Sequence, residues 1–106
     1  MPQGPLFTVE TPAQGNSSKL NIAAAAGATL VKGSSGRVMQ LTVNTASTAP
    51  IIVYDAATVA GAVTANIVYQ SAAVVALGTI IVLDFPCLAG IVVTAGTGSV
   101  VAVSYN

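Results

Sequence analysis

Beyond Ser18 the chain consists of short apolar runs separated by turn residues. In residues 37–43, Met39, Leu41 and Val43 alternate with polar side chains, which is the period-two pattern of a strand with one face toward a core. Five further runs are rich in Val and Ile and predict strands: 51–55, 66–70, 79–83, 90–94 and 99–105. Strands spaced about 8 to 14 residues apart predict an all-β fold, an antiparallel sandwich or a barrel.

The connections between these runs carry their own signals. Residues 95–98, Ala-Gly-Thr-Gly, lie between the last two runs, and their glycines suit positive φ, so the sequence predicts a hairpin there. The Ala-rich stretches 23–26 and 72–76 are short and flanked by β-branched residues, so they are predicted as connections between strands, not helices. Residues 33–36, Gly-Ser-Ser-Gly, are predicted to form a turn.

The first 18 residues have a different character. They contain Pro2, Pro5 and Pro12, and proline lacks the backbone donor that a helix or a central strand requires. The apolar residues 6–9 can form an edge strand. We therefore expect an extended N-terminal arm over residues 1–18, either disordered or pinned to a neighbouring subunit, and one β-sandwich domain over residues 19–106.

Several predicted strands are apolar on both faces, namely 51–53, 80–83 and 91–93. One face of an antiparallel sheet usually meets water, so uninterrupted apolar runs indicate that the second face is covered too. We expect a permanent protein neighbour to provide that cover. The predicted interface residues are Leu6, Phe7, Val9, Ile52, Tyr54, Ile81 and Val92.

Charge is scarce throughout the chain. Only 6% of the 106 residues are charged, against about 25% in ordinary soluble domains, and the formal net charge is zero. So little charge gives weak protection against association. It favours a subunit covered by copies of itself or by a partner over a monomer that tolerates low charge.

The same scarcity argues against several other partners. Three basic residues make no phosphate-binding patch, so we expect no nucleic-acid partner. The longest apolar stretch, residues 72–83, has 12 residues, whereas a membrane span needs about 20. The first 12 residues lack the pattern of a secretory signal. A single cysteine, Cys87, excludes an internal disulfide, is expected to be buried, and fits assembly in a reducing cytoplasm.

The sequence contains few of the side chains that enzymes commonly use in catalysis. The chain has no histidine, and its carboxylates are Glu10, Asp55 and Asp84. Asp55 and Asp84 in principle form an acid–base pair, but their positions at strand ends favour structural roles. Arg37 either pairs with an acid across a subunit boundary or begins a strand in solvent. We predict that the chain is not an enzyme and needs no cofactor, metal or small-molecule substrate.

Four segments from residue 31 onward resemble a known family: 31–38 (VKGSSGRV), 53–57 (VYDAA), 85–94 (FPCLAGIVVT) and 96–105 (GTGSVVAVSY). These glycine-punctuated β motifs are similar to those of decoration, or cement, proteins of tailed-bacteriophage heads. The resemblance implies a jelly-roll-like β-sandwich. It also implies a homo-oligomer, dimer or trimer, that is assembled in the host cytoplasm and binds the major capsid protein on the outer surface of the virion.

A second class of function remains open at this point. A receptor- or glycan-binding module of a phage head fibre or tail also works through its surface. Such sites place aromatic rings beside polar groups, and Tyr54, Tyr69 and Tyr105 are the tyrosines of the chain, which has no tryptophan.

Overall fold

A computed structural model describes residues 18–22, 27–96 and 98–106 of the chain. These residues form eight β-strands and two short 3₁₀ turns, the latter at Val59–Gly61 and Thr64–Asn66. The strands are β1 (Ser18–Ile22), β2 (Ala28–Lys32), β3 (Gly36–Thr45), β4 (Ile52–Asp55), β5 (Ile67–Gln70), β6 (Ile80–Cys87), β7 (Ile91–Thr94) and β8 (Val100–Tyr105).

The strands are divided equally between two antiparallel sheets. The first sheet has the order β1-β8-β3-β6 and the second has the order β2-β7-β4-β5. The pairs β1–β8, β2–β7, β3–β6 and β4–β5 are nested, each inside the one before along the chain. This nested pairing is the jelly-roll arrangement of a two-sheet sandwich. The predicted all-β antiparallel sandwich is therefore confirmed.

One local prediction is wrong. β7 pairs with β2 and β4 in the second sheet, whereas β8 pairs with β1 and β3 in the first. Residues 95–98 therefore connect the two sheets and are not a hairpin. Gly98 does have positive φ, +76°. Gly96 is required for another reason, because a Cβ there would collide with the carbonyl oxygen of Ala49.

The six predicted strands are all present, but three details differ. β1 and β2 were not identified, and Ser18, the last residue assigned to the arm, is the first residue of β1. β6 continues past its predicted end at residue 83 to Cys87. Residues 72–76 contain no helix, as predicted, and residues 33–35 form the predicted turn. The predictions for residues 1–17 and 23–26 lie outside the described residues.

The main core lies between the two sheets. It combines residues such as Leu41 and Val103 of the first sheet with Val53 and Val93 of the second, all fully buried. Their β-branched or apolar side chains come from alternate strand positions, as the period of two requires. The thiol of Cys87 is buried in this core, as the sequence predicted.

Candidate protein interface

Much of the outer face of the second sheet is covered by the chain itself, although Leu30 of β2, which pairs with Val92, stays 42% exposed. Residues 56–66, which connect β4 to β5 and are called here the cover segment, run over this face. Ala56 at its start is buried with Tyr54 and Val92 in a second apolar cluster, against which Ala62 also packs. Ala56 N donates to the Gly90 carbonyl oxygen (3.2 Å) and ties the start of the segment to the residue before β7. Within the segment, Asn66 Nδ2 donates to the Gly61 carbonyl oxygen (2.8 Å).

This cover corrects the reasoning that led to three of the predicted interface residues. Val92 is fully buried, Tyr54 is 8% exposed and Ile52 packs half-buried against both. The apolar runs in β4 and β7 do have two covered faces, but the second cover is the segment 56–66 and not another subunit. Val92 consequently has no exposed surface in the folded chain.

The outer face of the first sheet differs from that of the second. Among the described residues, neither the main core nor the cluster under the cover segment lies on it. Gln40 and Thr42 of β3 point outward there, as their alternation with core residues requires. At the edge of the face, Ile80 and Val82 of β6 are 60% and 71% exposed. Val74 and Leu77, in the connection that leads into β6, are exposed as well. Ile80 and Val82 are called here the apolar strip.

Ile81, another predicted interface residue, packs half-buried against the main core and points away from the apolar strip. The sequence alone left the phase of this strand ambiguous because residues 80–83 are all apolar. The signal that would have resolved it is Asp84, since an exposed acid assigns residues 80 and 82 to the same outer side. Leu6, Phe7 and Val9 lie outside the described residues. Contact of the seven residues with another protein stays a prediction.

β6 is an edge strand whose far half is irregular. Val38 pairs with Phe85 and Gln40 with Val82, so β6 carries one extra residue between these pairs. Asp84 takes up this bulge with a φ of +47°, a value unusual for a residue other than glycine. Bulges and prolines interrupt strand pairing, and Pro86 follows two residues later. Residues 80–83 are therefore the regular part of this edge.

Arg37 stabilises the bulge from the neighbouring strand. Its Nη1 donates to the Asp84 carbonyl oxygen (2.8 Å) and to Asp84 Oδ1 (3.2 Å). The ion pair lies within one chain and is largely exposed. Arg37 thus has an acidic partner, but that partner belongs to its own subunit.

Asp55 organises the turn between β6 and β7. Its carboxylate accepts hydrogen bonds from the backbone N–H groups of Leu88 (3.0 Å), Ala89 (2.8 Å) and Gly90 (3.3 Å). Burial by itself raises the pKa of Asp55, but the three N–H donors outweigh it and leave the pKa below its ordinary value. Asp55 is therefore a structural residue at a strand end, as predicted.

A shallow depression of about 340 Å³ lies next to this turn, between Lys32 and Leu88. Lys32 Nζ donates to the carbonyl oxygen of Asn106 (3.1 Å), and Arg37 is engaged by Asp84, so both cations at the depression already have partners. Burial, and secondly the negative charge of Asp55, raise the pKa of the Cys87 thiol to about 11. That thiol is therefore protonated and a poor nucleophile at neutral pH.

The tyrosines do not form an exposed aromatic platform. Tyr54 is buried under the cover segment, and Tyr69 and Tyr105 pack half-buried against the main core. Within the described part of the chain, no three His, Cys, Asp or Glu side chains are grouped so as to hold a metal ion. No helix among these residues is long and apolar enough to span a membrane.

Comparisons with known proteins identify no family for this chain. No protein-family model, no curated protein and no solved structure matches it. The described residues form a β-sandwich of two four-stranded antiparallel sheets; they cover much of the outer face of the second sheet and leave the outer face of the first open.

Proposed function

We propose that this chain is a structural virion protein that decorates the outside of a tailed-bacteriophage capsid. It is assembled in the host cytoplasm, binds the lattice of the major capsid protein as a dimer or trimer, and stabilises the shell. The observation that carries the proposal is the open outer face of the first sheet, with exposed Ile80 and Val82 on a chain that has only six charged residues. The resemblance of residues 31–105 to decoration proteins supplies the identity of the partner.

The physical role follows from repetition. A capsid presents the same surface many times, so the contacts of a small protein that bridges two neighbouring copies are repeated at every boundary between capsid subunits. Several weak contacts made by one oligomer act with a high effective concentration, and the combined attachment exceeds the affinity of any single contact. The apolar strip suits such a contact, because burying it stabilises the complex without requiring charged partners.

The glycan-binding alternative gains no support from the geometry. Stacking against a sugar needs an exposed aromatic face, and the three tyrosines are buried or half-buried in the two clusters of this chain. Phe85 of β6 is the one exposed aromatic side chain in the described part of the chain, whereas Ile80 and Val82 of the same strand are aliphatic. These features favour a protein partner over a carbohydrate.

The proposal is tested by adding purified protein to expanded capsids that lack it and by measuring the bound fraction and the mass of the free protein. We expect a homo-oligomer that binds the capsid. The variant Ile80→Lys/Val82→Lys should weaken binding at least tenfold, about 1.4 kcal/mol, because it places two charges in the apolar contact.

A matched control is Val59→Lys/Val63→Lys, which changes two comparably exposed valines of the cover segment on the opposite side of the sandwich. This control should bind like the unmodified protein. A monomer that does not bind the capsid contradicts the proposal, and equal weakening by the two double variants contradicts the assignment of the open face.

A further inference from the structure

The regular half of the β6 edge has no strand beside it among the described residues. β6 pairs with β3 on one side, and it is the last strand in the order β1-β8-β3-β6. Residues 80–83 therefore present unpaired backbone groups next to the exposed side chains of Ile80 and Val82. An apolar edge of this kind pairs readily with another extended segment.

The arm that precedes β1 contains a segment with the matching chemistry. Residues 6–9, Leu-Phe-Thr-Val, are apolar and favour a strand, whereas residues 10–17 are mainly polar. The outer face of the first sheet has the same order of polarity. Moving away from β1, it presents Asn21, then Ala102 and Ser104, then Gln40 and Thr42, and finally the aliphatic Ile80 and Val82.

The arm is also long enough to cross this face within its own chain. Ser18 at the start of β1 lies opposite Tyr105 of β8, whereas Ile80 of β6 is level with Ala102 of β8 through Thr42. Ser18 and Ile80 are therefore offset by three residues along the strand direction, about 10 Å. A strand added beyond β6 is four strand spacings from β1, about 19 Å, which gives a diagonal of about 22 Å. The nine residue steps from Val9 to Ser18 span up to about 30 Å.

We propose that residues 6–9 of the same chain dock on the β6 edge as a ninth strand, with residues 10–17 lying across the polar part of the open face. The same chain is the favoured source because a segment tethered within reach has an effective concentration of the order of millimolar. The added strand completes the hydrogen bonding of residues 80–83 and lies beside Val82, whose side chain stays on the outer side of the sheet. The arm thereby keeps this edge from pairing with a strand of another chain.

This inference concerns the protein in solution and stands whether or not the proposed capsid attachment holds. It is tested by disulfide trapping with Phe7→Cys/Val82→Cys under mild oxidation with oxidised glutathione. The native Cys87 is buried and does not need replacement. The control is Phe7→Cys/Val59→Cys, because Val59 is an exposed valine on the outer side of the other sheet.

We expect the 7–82 disulfide to form at least ten times faster than the 7–59 disulfide, with both cysteines in the same chain and at a rate independent of protein concentration. Equal rates for the two pairs overturn the docking on β6. A 7–82 product that is a disulfide-linked dimer, formed faster at higher concentration, overturns the assignment to the same chain.

Hydrogen exchange, compared between the full chain and a chain that lacks residues 2–16, gives a second measurement that needs no cysteine variants. Deleting residues 2–16 should accelerate amide exchange within residues 80–83 at least tenfold and leave residues 91–93, in the centre of the second sheet, unchanged. Unchanged exchange in residues 80–83 after the deletion overturns the proposal. Equal acceleration in both segments also overturns it, because it shows a general loss of stability in place of a local cover.

Discussion

The outer faces of the two sheets are treated differently by the same chain. On the second sheet, the cover segment 56–66 buries Val92 completely, although the face is built from strands with the same apolar character as β6. On the first sheet, Val82 is 71% exposed and polar side chains occupy the neighbouring strands. Identical residue types, valines in apolar strands, are thus core on one side of the sandwich and surface on the other.

The difference teaches that an apolar run on both faces of a strand does not identify a binding partner. It shows only that the second face is covered, and a connection of 11 residues within the chain is sufficient cover. On the first sheet, the exposed aliphatic side chains Ile80 and Val82 lie at the sheet edge formed by β6. The following changes separate the two faces by their effect on stability.

The largest contrast is expected between Val92→Asp and Val82→Asp. The first places a charge without a partner in the cluster under the cover segment and should lower the free energy of unfolding by more than about 4 kcal/mol. The second leaves the charge in solvent and should change it by less than about 0.5 kcal/mol. Urea unfolding at pH 7 measures both, and similar losses for the two variants contradict the distinction between a covered and an open face.

The attachment of the cover segment is probed by Gly90→Ala. A Cβ at Gly90 would collide with the Ala56 carbonyl oxygen, lie 2.6 Å from the Lys32 carbonyl oxygen and 3.0 Å from Ala57 Cα. We expect a loss of about 2–3 kcal/mol, because backbone on both sides must move. Gly33→Ala is the matched control, since its Cβ meets only ordinary contacts at 3.7 and 3.8 Å, and thermal unfolding should show almost no change. A tolerated Gly90→Ala argues against this close approach.

The turn beside the cover segment depends on the charge of Asp55. Asp55→Asn should cost about 1.5–2 kcal/mol at pH 7, the lower part of the range for charged hydrogen bonds, because the turn is largely exposed. The pKa of Asp55 is lowered in the folded chain, so its stabilisation is complete above the unfolded pKa of about 4 and is lost as pH falls through the folded pKa. Unfolding at pH 7 and at about pH 2 should therefore show a difference between the two proteins that shrinks in acid. A difference of the same size at both pH values contradicts the role of the charge.

The smallest effect is expected at the edge of the open face. Asp84→Asn removes an exposed ion pair but keeps a side chain that tolerates positive φ, so stability should change by less than about 0.5 kcal/mol. Asp84→Val should cost about 1–2 kcal/mol, because a β-branched residue is strained at a φ of +47°. Thermal unfolding of the two Asp84 variants separates the effect of backbone conformation from the effect of charge. Equal losses of stability in both variants contradict a conformational role for this position.

Much of the fold follows from local pattern, and the candidate interface follows only in part. The alternation in residues 37–43 identified β3, and the β-branched runs identified five more strands, because the period of two reports directly on a half-buried strand. Residues 80–83 are all apolar, so their pattern could not decide whether Ile81 or Val82 is the exposed residue. Burial of Tyr54 and Val92 was unpredictable for another reason, since it depends on a distant connection folding back over them.

What the sequence by itself determined is the class of the molecule: an all-β sandwich, poor in charge, with Asp55 at a strand end. These properties are local, because they depend on composition and on side chains a few residues apart. The tertiary structure alone decided which strands are neighbours, and β1 pairs with β8 at opposite ends of the described chain. It also decided which apolar face is covered and which is open, because cover is a property of residues brought together in space and leaves no periodic trace in the sequence.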